Sequence, residues 1–296
     1  PMDQRLASGD QLIFIAADEN AIRLSQTAPA QVDSTALRHA PPRQAGPERT
    51  LILGWNERAA AIIGELDYYV GSDSEVQLVA TPDPNLAEFL STLESQRYRN
   101  LRVSVQNGDI TERRTLEALA IPTFQHVIVL SEWCEGMDNI QQVDARTLIT
   151  LLHLRKIAEA HGHPFSIVSE MLDVRNRELA QVTRADDFVV SDSLVSLILA
   201  QIAENKALAP VFQDLFDPEG SELYFKPVGD YLELGKAVNF YTVIEAAKQR
   251  GEVAVGYRRA AEAYNAEQAF GVKLNPRKSE TIVFAKDDRL IVLAES

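Results

Sequence analysis

The sequence predicts an α/β fold made of a doubly wound parallel sheet, a helical crossover and a smaller α+β lobe. Three observations lead to this prediction. Short apolar strands alternate with helix-patterned stretches from residue 50 to residue 190. The stretch 194–203 is apolar on nearly every side. After residue 210 the pattern changes, and strand-like segments surround a single helical stretch.

The parallel sheet follows from the alternation of strands and helices. Strands that are each followed by an amphipathic helix pair in parallel, and the helices cover both faces of the sheet. This arrangement is Rossmann-like. Its strands are expected at 50–53, 76–79, 101–105, 126–130, 165–168 and 188–190, with helices at 57–67, 84–95, 111–119 and 140–160. The smaller lobe is expected to place strands at 222–227, 253–257, 281–285 and 289–294 around a helix near 240–249.

The stretch 194–203 reads Leu-Val-Ser-Leu-Ile-Leu-Ala-Gln-Ile-Ala. A helix that is apolar all round has to be covered on more than one side. We therefore expect this helix at a domain or subunit interface.

The 296-residue chain is acidic, with 43 Asp and Glu side chains against 29 Lys and Arg, a formal net charge of −14. This charge repels a phosphate backbone, so we expect no nucleic-acid partner. Cations and basic partners remain open. The sequence has no apolar stretch of membrane-spanning length and no signal-peptide pattern, so we expect a soluble chain whose membrane part, if any, lies outside it.

The sequence offers no side chains arranged for catalysis. Cys134 is the single cysteine, so there is no disulfide framework and no cysteine-rich metal site. A structural thiol is expected there, with a redox sensor as the alternative. The five histidines show no spacing that defines a triad or a zinc site. The sequence therefore does not predict an enzyme.

Two ten-residue stretches, 9–18 and 287–296, share a polar turn, a Leu-Ile opening, an apolar strand, an alanine and an acid. Such a repeat suggests that the chain contains the end of one domain and a complete copy of a similar one; chance similarity of two buried strands is the alternative. Residues 25–48 are rich in Pro, Gln, Ala and Ser, which is typical of a mobile linker. The predicted organisation is a terminal strand at 1–24, a linker at 25–49, a Rossmann-like lobe at 50–191, crossover helices at 192–218 and an α+β lobe at 219–296.

The turn after the first strand is the first candidate for cofactor binding. Dinucleotide-binding folds place a glycine-rich turn here, but the sequence reads Gly54-Trp55-Asn56. Gly54 still permits a tight turn, whereas Asn56 replaces the glycine that lets a pyrophosphate approach the backbone. Asp83, the candidate ribose-binding acid after the second strand, comes late and follows a proline. NAD is therefore disfavoured, although a smaller anion at the following helix N-terminus stays open.

Carboxylates after the fourth and fifth strands form a second candidate site. The carboxyl ends of parallel strands share one edge, so the two groups are expected to approach each other there. Asp144, Glu170 and Asp173 would offer the oxygen ligands that Ca²⁺ prefers. The alternative is a solvated acidic rim, or ion pairs with neighbouring arginines. The acids after the fourth strand are Glu132, Glu135, Asp138 and Asp144, and the neighbouring arginines are Arg146, Arg175 and Arg177.

Five segments together resemble the cytosolic regulatory region of Castor/Pollux-type ion channels, which contains domains that regulate potassium conductance (RCK, or TrkA-N-like, domains). The resemblance covers residues 50–296. The segments are Leu-Ile-Leu-Gly-Trp at 51–55, Asp-Ala-Arg-Thr-Leu-Ile-Thr-Leu-Leu at 144–152, Ile-Val-Ser-Glu-Met-Leu-Asp-Val-Arg-Asn-Arg at 167–177, Ser-Asp-Ser-Leu-Val-Ser at 191–196 and Glu-Val-Ala-Val-Gly-Tyr-Arg at 252–258.

The resemblance implies a domain of a cation channel, for potassium or calcium, on the cytoplasmic face of a membrane. In that family two tandem domains per subunit form a tetrameric ring below the pore, and ligand binding changes the ring. The partners would be a membrane pore domain and a preceding RCK-like domain of the same polypeptide. Arg146 and Arg175 would then act as an interdomain switch beside the acidic edge. A soluble NAD(H)-binding redox sensor or oxidoreductase, and an adaptor for a basic protein, remain the alternative functions.

Overall fold

The computed structural model describes residue 5 and residues 7–15, 31–41, 46–93, 98–162, 165–176, 187–217, 220–263 and 265–295. The chain divides into two compact units. Residues 44–210 form one unit, and residues 1–43 together with 211–296 form the other.

The 44–210 unit is built on a six-stranded parallel sheet with the order β3-β2-β1-β4-β5-β6. This is the strand order of a Rossmann-like fold, so the predicted doubly wound sheet is confirmed. The order reverses between β1 and β4, and a crevice is expected there. The strands are β1 (Arg49–Leu53), β2 (Ser74–Ala80), β3 (Leu101–Asn107), β4 (His126–Val129), β5 (Ser166–Met171) and β6 (Asp187–Val190).

Helices cover both faces of this sheet because alternate residues of a strand point to opposite faces. Leu51 and Leu53 of β1 pack into one core that includes Leu151, whereas Ile52 packs into a second core that includes Ile63. Strands buried on both faces explain the continuous apolar runs in the sequence. The helices are α1 (Arg58–Tyr69), α2 (Pro84–Leu93), α3 (Arg113–Ala118), α4 (Ile140–His161) and α5 (Ser191–Glu204).

α4 runs the full height of the sheet. It begins after the carboxyl end of β4, where the Asn139 side chain accepts a hydrogen bond from the amide of Gln142. It ends at Gly162, whose φ of 56° places the backbone in the left-handed region that glycine adopts without strain. The two ends of α4 therefore lie at opposite edges of the sheet.

The other unit contains a four-stranded antiparallel sheet with the order β10-β9-β12-β7 and a two-stranded sheet of β11 and β8. Together with one helix this confirms the predicted α+β lobe. Of the three-residue strands, β8 and β10 were not predicted, because three residues are too few to show an alternating pattern, whereas β11 lies within the predicted strand 281–285. The elements of this unit are β7 (Ser221–Pro227), β8 (Ala237–Asn239), α7 (Phe240–Lys248), β9 (Val253–Arg258), β10 (Val272–Leu274), β11 (Thr281–Val283) and β12 (Arg289–Glu295). A further helix, α6 (Leu208–Leu215), spans the chain boundary between the two units.

The described part of the predicted linker is packed rather than free. Ala36 is fully buried in the same core as Tyr231. The backbone amide of Arg38 donates to the Tyr231 carbonyl at 2.8 Å, and the amide of Glu233 donates to the Ala36 carbonyl at 2.8 Å. The composition of the stretch does not predict this contact, because the segment is anchored by a single small side chain. Residues 31–41 thus belong structurally to the 211–296 lobe.

Residues 11–15, in the predicted terminal strand, form no β-ladder with the described residues. Their origin in a preceding domain stays a prediction. The apolar side chains of α5 are exposed on the described chain, with Leu197 62% and Leu199 61% accessible. The cover expected for this helix is therefore not supplied by the described residues. Among the helices that the structure describes, none has both the length and the hydropathy to cross a bilayer.

Replacing Ala36 with Asp is expected to destabilise the lobe by about 3 kcal/mol, because an unpaired carboxylate would enter an apolar core. Urea unfolding followed by circular dichroism measures the change. Ser34→Asp is the matched control, since Ser34 lies in the same turn and is exposed. Equal effects of the two substitutions would contradict the packed position of residues 31–41.

Candidate functional site

A cleft of about 820 Å³ lies at the carboxyl edge of the parallel sheet, where the strand order reverses. Residues 55–58 follow β1, residues 81–85 follow β2 and residues 131–135 follow β4, and side chains from all three segments line it. Ligands of open α/β sheets bind at this topological position. The cleft is therefore the leading candidate for a ligand site in the described part of the chain.

The turn after β1 is held by a close backbone approach at Gly54. Its φ is +91°, and a Cβ there would lie 2.7 Å from the Leu130 carbonyl oxygen. The next side chain, Trp55, is buried and packs on Phe89 with ring centroids 4.9 Å apart. The bulky residue in this turn thus fills the core between α1 and α2.

Asn56, which stands where a second glycine would lie, cross-links the strand ends. Its side-chain Nδ2 donates to the Ser131 carbonyl at 3.0 Å and to Glu170 Oε2 at 2.8 Å. Its Oδ1 accepts from the amide of Arg58 at 3.0 Å. A dinucleotide needs the backbone at this position to be open to its pyrophosphate, and here it carries a hydrogen-bonded side chain.

Glu170 is a buried carboxylate surrounded by donors. Besides Asn56, the backbone amide of Ser131 donates to Oε2 at 3.1 Å, and the Arg58 guanidinium pairs with Oε1. Arg58 is half exposed, so one side of the ion pair faces the cleft. A buried carboxylate stays charged only with such partners, and Glu170 thereby fixes the end of β5 to the turn after β1.

Glu132 is the second buried carboxylate of the cleft. The amide of Thr81 donates to its Oε1 at 2.9 Å, and Arg146 Nη2 donates to its Oε2 at 3.1 Å. The same Arg146 nitrogen donates to Asp109 Oδ1 at 2.9 Å. One guanidinium on α4 therefore ties together the chain after β3 and β4, and Glu132 links both to Thr81 after β2.

Asp109 and Cys134, which border this network, have shifted pKa values. Burial raises the pKa of Asp109, but hydrogen bonds from Thr111 and the charge of Arg146 outweigh it, and the pKa lies below its ordinary value. Burial raises the pKa of the Cys134 thiol, and the charge of Glu132 adds to this. Cys134 is thus a protonated thiol and a poor nucleophile at neutral pH.

The structure gives each residue of the predicted cation site its own protein partners. Asp144 is fully buried, and its carboxylate accepts from the backbone amides of Leu172 and Asp173 at 2.9 and 3.0 Å. Asp173 instead pairs with Arg175 at 2.6 Å. Each carboxylate is thus satisfied by protein donors. Among the described residues, no three His, Cys, Asp or Glu side chains converge closely enough to hold a metal ion.

The two predicted switch arginines also have separate partners. Arg146 pairs with Asp109 and Glu132, and Arg175 pairs with Asp173 two residues away. Neither arginine forms an ion pair with Asp144 in the described part of the chain. The cation site and the interdomain switch stay predictions that this geometry does not favour.

Asp83 lies in the cleft, but as a helix cap. Its Oδ1 accepts from the amide of Asn85 at 2.8 Å, and Pro84 occupies the first position of α2. An acid followed by a proline is a common helix start. Its proposed role with a ribose stays a prediction, and its hydrogen bond to the backbone explains its position without a ligand.

The charge of the cleft favours cations over phosphates. Four carboxylates line it against one guanidinium, Arg58. The low-dielectric walls of a cleft strengthen the field of such charges. The exposed Trp133 side chain and two prolines add apolar surface to the rim. The carboxylates are Glu57, Asp83, Glu132 and Glu135.

Comparison with known proteins identifies channels as relatives. The chain is 30% identical over 330 residues to the "Probable ion channel POLLUX" of Arabidopsis thaliana, covering 99% of this chain and 38% of the relative. It is 29% identical over 321 residues to the "Ion channel CASTOR" of Lotus japonicus, covering 98% of this chain and 36% of the relative. The chain is a homologue of part of the CASTOR and POLLUX channels. It spans little more than a third of the length of these relatives.

A more distant relative is the "Calcium-gated potassium channel TvoK" of Thermoplasma volcanium, 25% identical over 207 residues, which covers 70% of this chain and 53% of the relative. The crystal structure of the GsuK RCK domain has a TM-score of 0.38 and 18% identity, over 84% of this chain and 44% of that chain. A TM-score this low supports no conclusion about function. No protein-family model matches the chain.

Sequence reasoning missed several residues of the cleft. Arg58 and Thr81 hold the two buried carboxylates, yet neither belongs to a recognisable motif. The one available signal was position, since Thr81 follows β2 directly and Arg58 begins the helix after β1. Ser131 contributes through its backbone, which no residue pattern reveals.

Replacing Gly54 with Ala is expected to destabilise the 44–210 unit by about 2 kcal/mol or more, because an L-residue at positive φ is strained and its Cβ would clash with the Leu130 carbonyl. Thermal unfolding measures the effect. Gly64→Ala within α1 is the control: nothing lies within 4 Å of a Cβ there, and alanine favours the helix. A Gly54→Ala protein as stable as wild type would contradict the close approach.

The hydrogen bonds from Arg175, together with its charge, lower the pKa of Asp173 to about 2. The ordinary Asp pKa is about 3.9, so this pair stabilises the fold above that pH, and the stabilisation is lost as the pH falls toward 2. Arg175→Gln is expected to raise the pKa of Asp173, as measured by NMR titration of the carboxyl carbon. Arg155→Gln, which breaks a different ion pair, should leave it unchanged; a value that stays near 2 in Arg175→Gln would contradict the pairing.

Proposed function

We propose that this chain is a ligand-sensing regulatory domain of a cation channel. The observation that carries the proposal is homology over nearly the whole chain to proteins named as ion channels. The fold is consistent with it, because a doubly wound sheet with an accessible cleft at its switch point is suited to binding a small ligand. The function is regulation of ion transport by ligand-driven change of shape, with no catalysis by this chain.

The ligand that suits the cleft best is a cation. Its carboxylates outnumber its one guanidinium, and Asn56 hinders the approach of a dinucleotide. The relative TvoK is named as calcium-gated. Ca²⁺ takes oxygen ligands, and the exposed rim acids Glu57 and Glu135 would supply two of them once the rim segments move closer, because no three acids converge in the described part of the chain. Glu132 would not take part, because Arg146 and Thr81 already occupy its oxygens.

Ligand binding would act by population shift. The cleft is lined by segments from three strand ends, and a cation between them would draw the segments together. A ligand moves a conformational equilibrium only by the difference in its affinity for the two states. In a regulatory domain of this kind the distances between the rim segments would therefore differ between the two states. The buried network of Glu132 and Arg146 would keep the strand ends fixed.

The partners would be further copies of the same chain and the remaining parts of a longer polypeptide. The relatives are nearly three times longer than the matched segment, which leaves room for a pore domain and a preceding RCK-like domain. The exposed apolar residues of α5 would be covered by a second copy within a tetrameric ring. The domain would lie at the cytoplasmic face of the membrane.

Calorimetric titration tests the cation site. CaCl₂ is expected to give saturable heat, and Glu135→Gln is expected to weaken binding about fivefold by removing one rim carboxylate. Asp173→Asn is the matched control, because Asp173 is already paired with Arg175. Loss of binding in Asp173→Asn alone would move the site to the acidic edge predicted from the sequence. Absence of heat with Ca²⁺ would contradict the proposal.

Light scattering after gel filtration tests the contribution of α5 to assembly. Wild type is expected to run as an oligomer, and Leu197→Asp is expected to shift it toward monomer, because a charge would enter the apolar contact. Gln201→Asp adds the same charge on the same helix at a polar position and should leave the mass unchanged. A monomeric wild-type chain, or an oligomer indifferent to Leu197→Asp, would count against a contact through this helix.

A further inference from the structure

A second cavity, of about 340 Å³, lies on the 44–210 unit away from the cleft. It is formed by α3, the turn Ile121–Thr123 and the last turns of α4. These elements lead directly into β4 and β5, so the cavity lies at the amino edge of the sheet. The cleft described above lies at the carboxyl edge, and the two share no lining residue.

The floor of this cavity is apolar. Leu116 and Ile121 are buried at its base, and Ile157 of α4 closes one side. Ala120, Pro122 and Ala160 complete the apolar lining. The volume of the cavity is at the lower end of the range for ligand pockets, and its apolar floor suits the body of a small molecule.

The rim of the cavity is basic, which is unusual in a chain with a formal net charge of −14. His153, Lys156 and His161 lie on one face of α4, at helical spacing, and Arg113 lies opposite them on α3. The single acid of the lining is Glu117. The rim is thus a local excess of positive charge.

Several rim donors are available to a ligand. Lys156 and His153 make no hydrogen bond or ion pair with the residues that the structure describes. Arg113 uses its Nε to pair with Glu117 at 2.7 Å, which leaves its two terminal nitrogens open toward the described surroundings. His161 is oriented by a 2.9 Å hydrogen bond between its Nδ1 and the Ile157 carbonyl, which leaves only its Nε2 for a ligand.

We propose that this cavity binds a small apolar molecule with one anionic head group, such as a medium-chain carboxylate. The apolar floor receives the body, and the Lys156 and Arg113 side chains receive the head through charge-assisted hydrogen bonds. The negative charge of Glu117 weakens binding of the anion. The site is independent of the cation proposed for the cleft, because it lies at the opposite edge of the sheet.

NMR with octanoate as the probe tests the site in the wild-type chain. The imidazole signals of His153 and His161 are expected to shift saturably, while that of His39, which lies in the other unit, stays in place. Octanamide, of similar shape but without charge, is expected to bind at least about fivefold more weakly. Equal affinity for the two probes, or no movement of His153 and His161, would overturn the proposal.

Charge substitutions at the rim give opposite expected signs. Lys156→Gln is expected to weaken octanoate binding about fivefold, and Glu117→Gln is expected to strengthen it by a similar factor. Arg155→Gln is the control on the same helix, since Arg155 pairs with Glu159 and does not line the cavity. Equal weakening by Arg155→Gln would reduce the effect to general charge attraction and overturn the site. Displacement of octanoate by phosphatidylserine vesicles that cosediment with the chain would assign the rim to a membrane and overturn it as well.

Discussion

Two buried carboxylates at the carboxyl edge of the parallel sheet must be paired to stay charged, and the cleft is organised by this requirement. Glu170 binds Asn56, Arg58 and the Ser131 amide at the end of β5. Glu132 draws Thr81 and Arg146 toward β4. Removing one partner of a buried charge costs about 3 to 5 kcal/mol, whereas an exposed pair contributes far less. These two acids therefore position the segments that line the cleft.

The same pairing underlies the choice of a cation as the proposed ligand. The donors that a phosphate would need, Arg58 and the side-chain amide of Asn56, are already engaged by Glu170. The carboxylates of the rim are left facing solvent. These side chains are the basis for proposing a cation at a position where other doubly wound folds bind dinucleotides. The backbone order of the sheet is unchanged.

The fold could be predicted from sequence because buried parallel strands such as β1 are continuous apolar runs, and each is separated from the next by a helical period. The sequence also placed a candidate cofactor-binding turn at Gly54, which ends the first strand at the switch point. The contacts within the cleft could not be predicted. Asn56 and Glu170 are 114 residues apart, and no local pattern indicates that Arg146 selects Asp109 and Glu132. The packing of Ala36 was missed because one small residue in a polar, proline-rich stretch gives no periodic signal.

The chain has two tryptophans, Trp55 and Trp133, and both line the cleft. The indole N–H signals in a proton–nitrogen correlation spectrum therefore report on this site alone. Saturable movement of the exposed Trp133 signal with Ca²⁺, and no movement with NADH, is the result expected for a cation-sensing cleft. Saturable movement of both indole signals with NADH, and none with Ca²⁺, would contradict it and indicate that the cleft binds a dinucleotide.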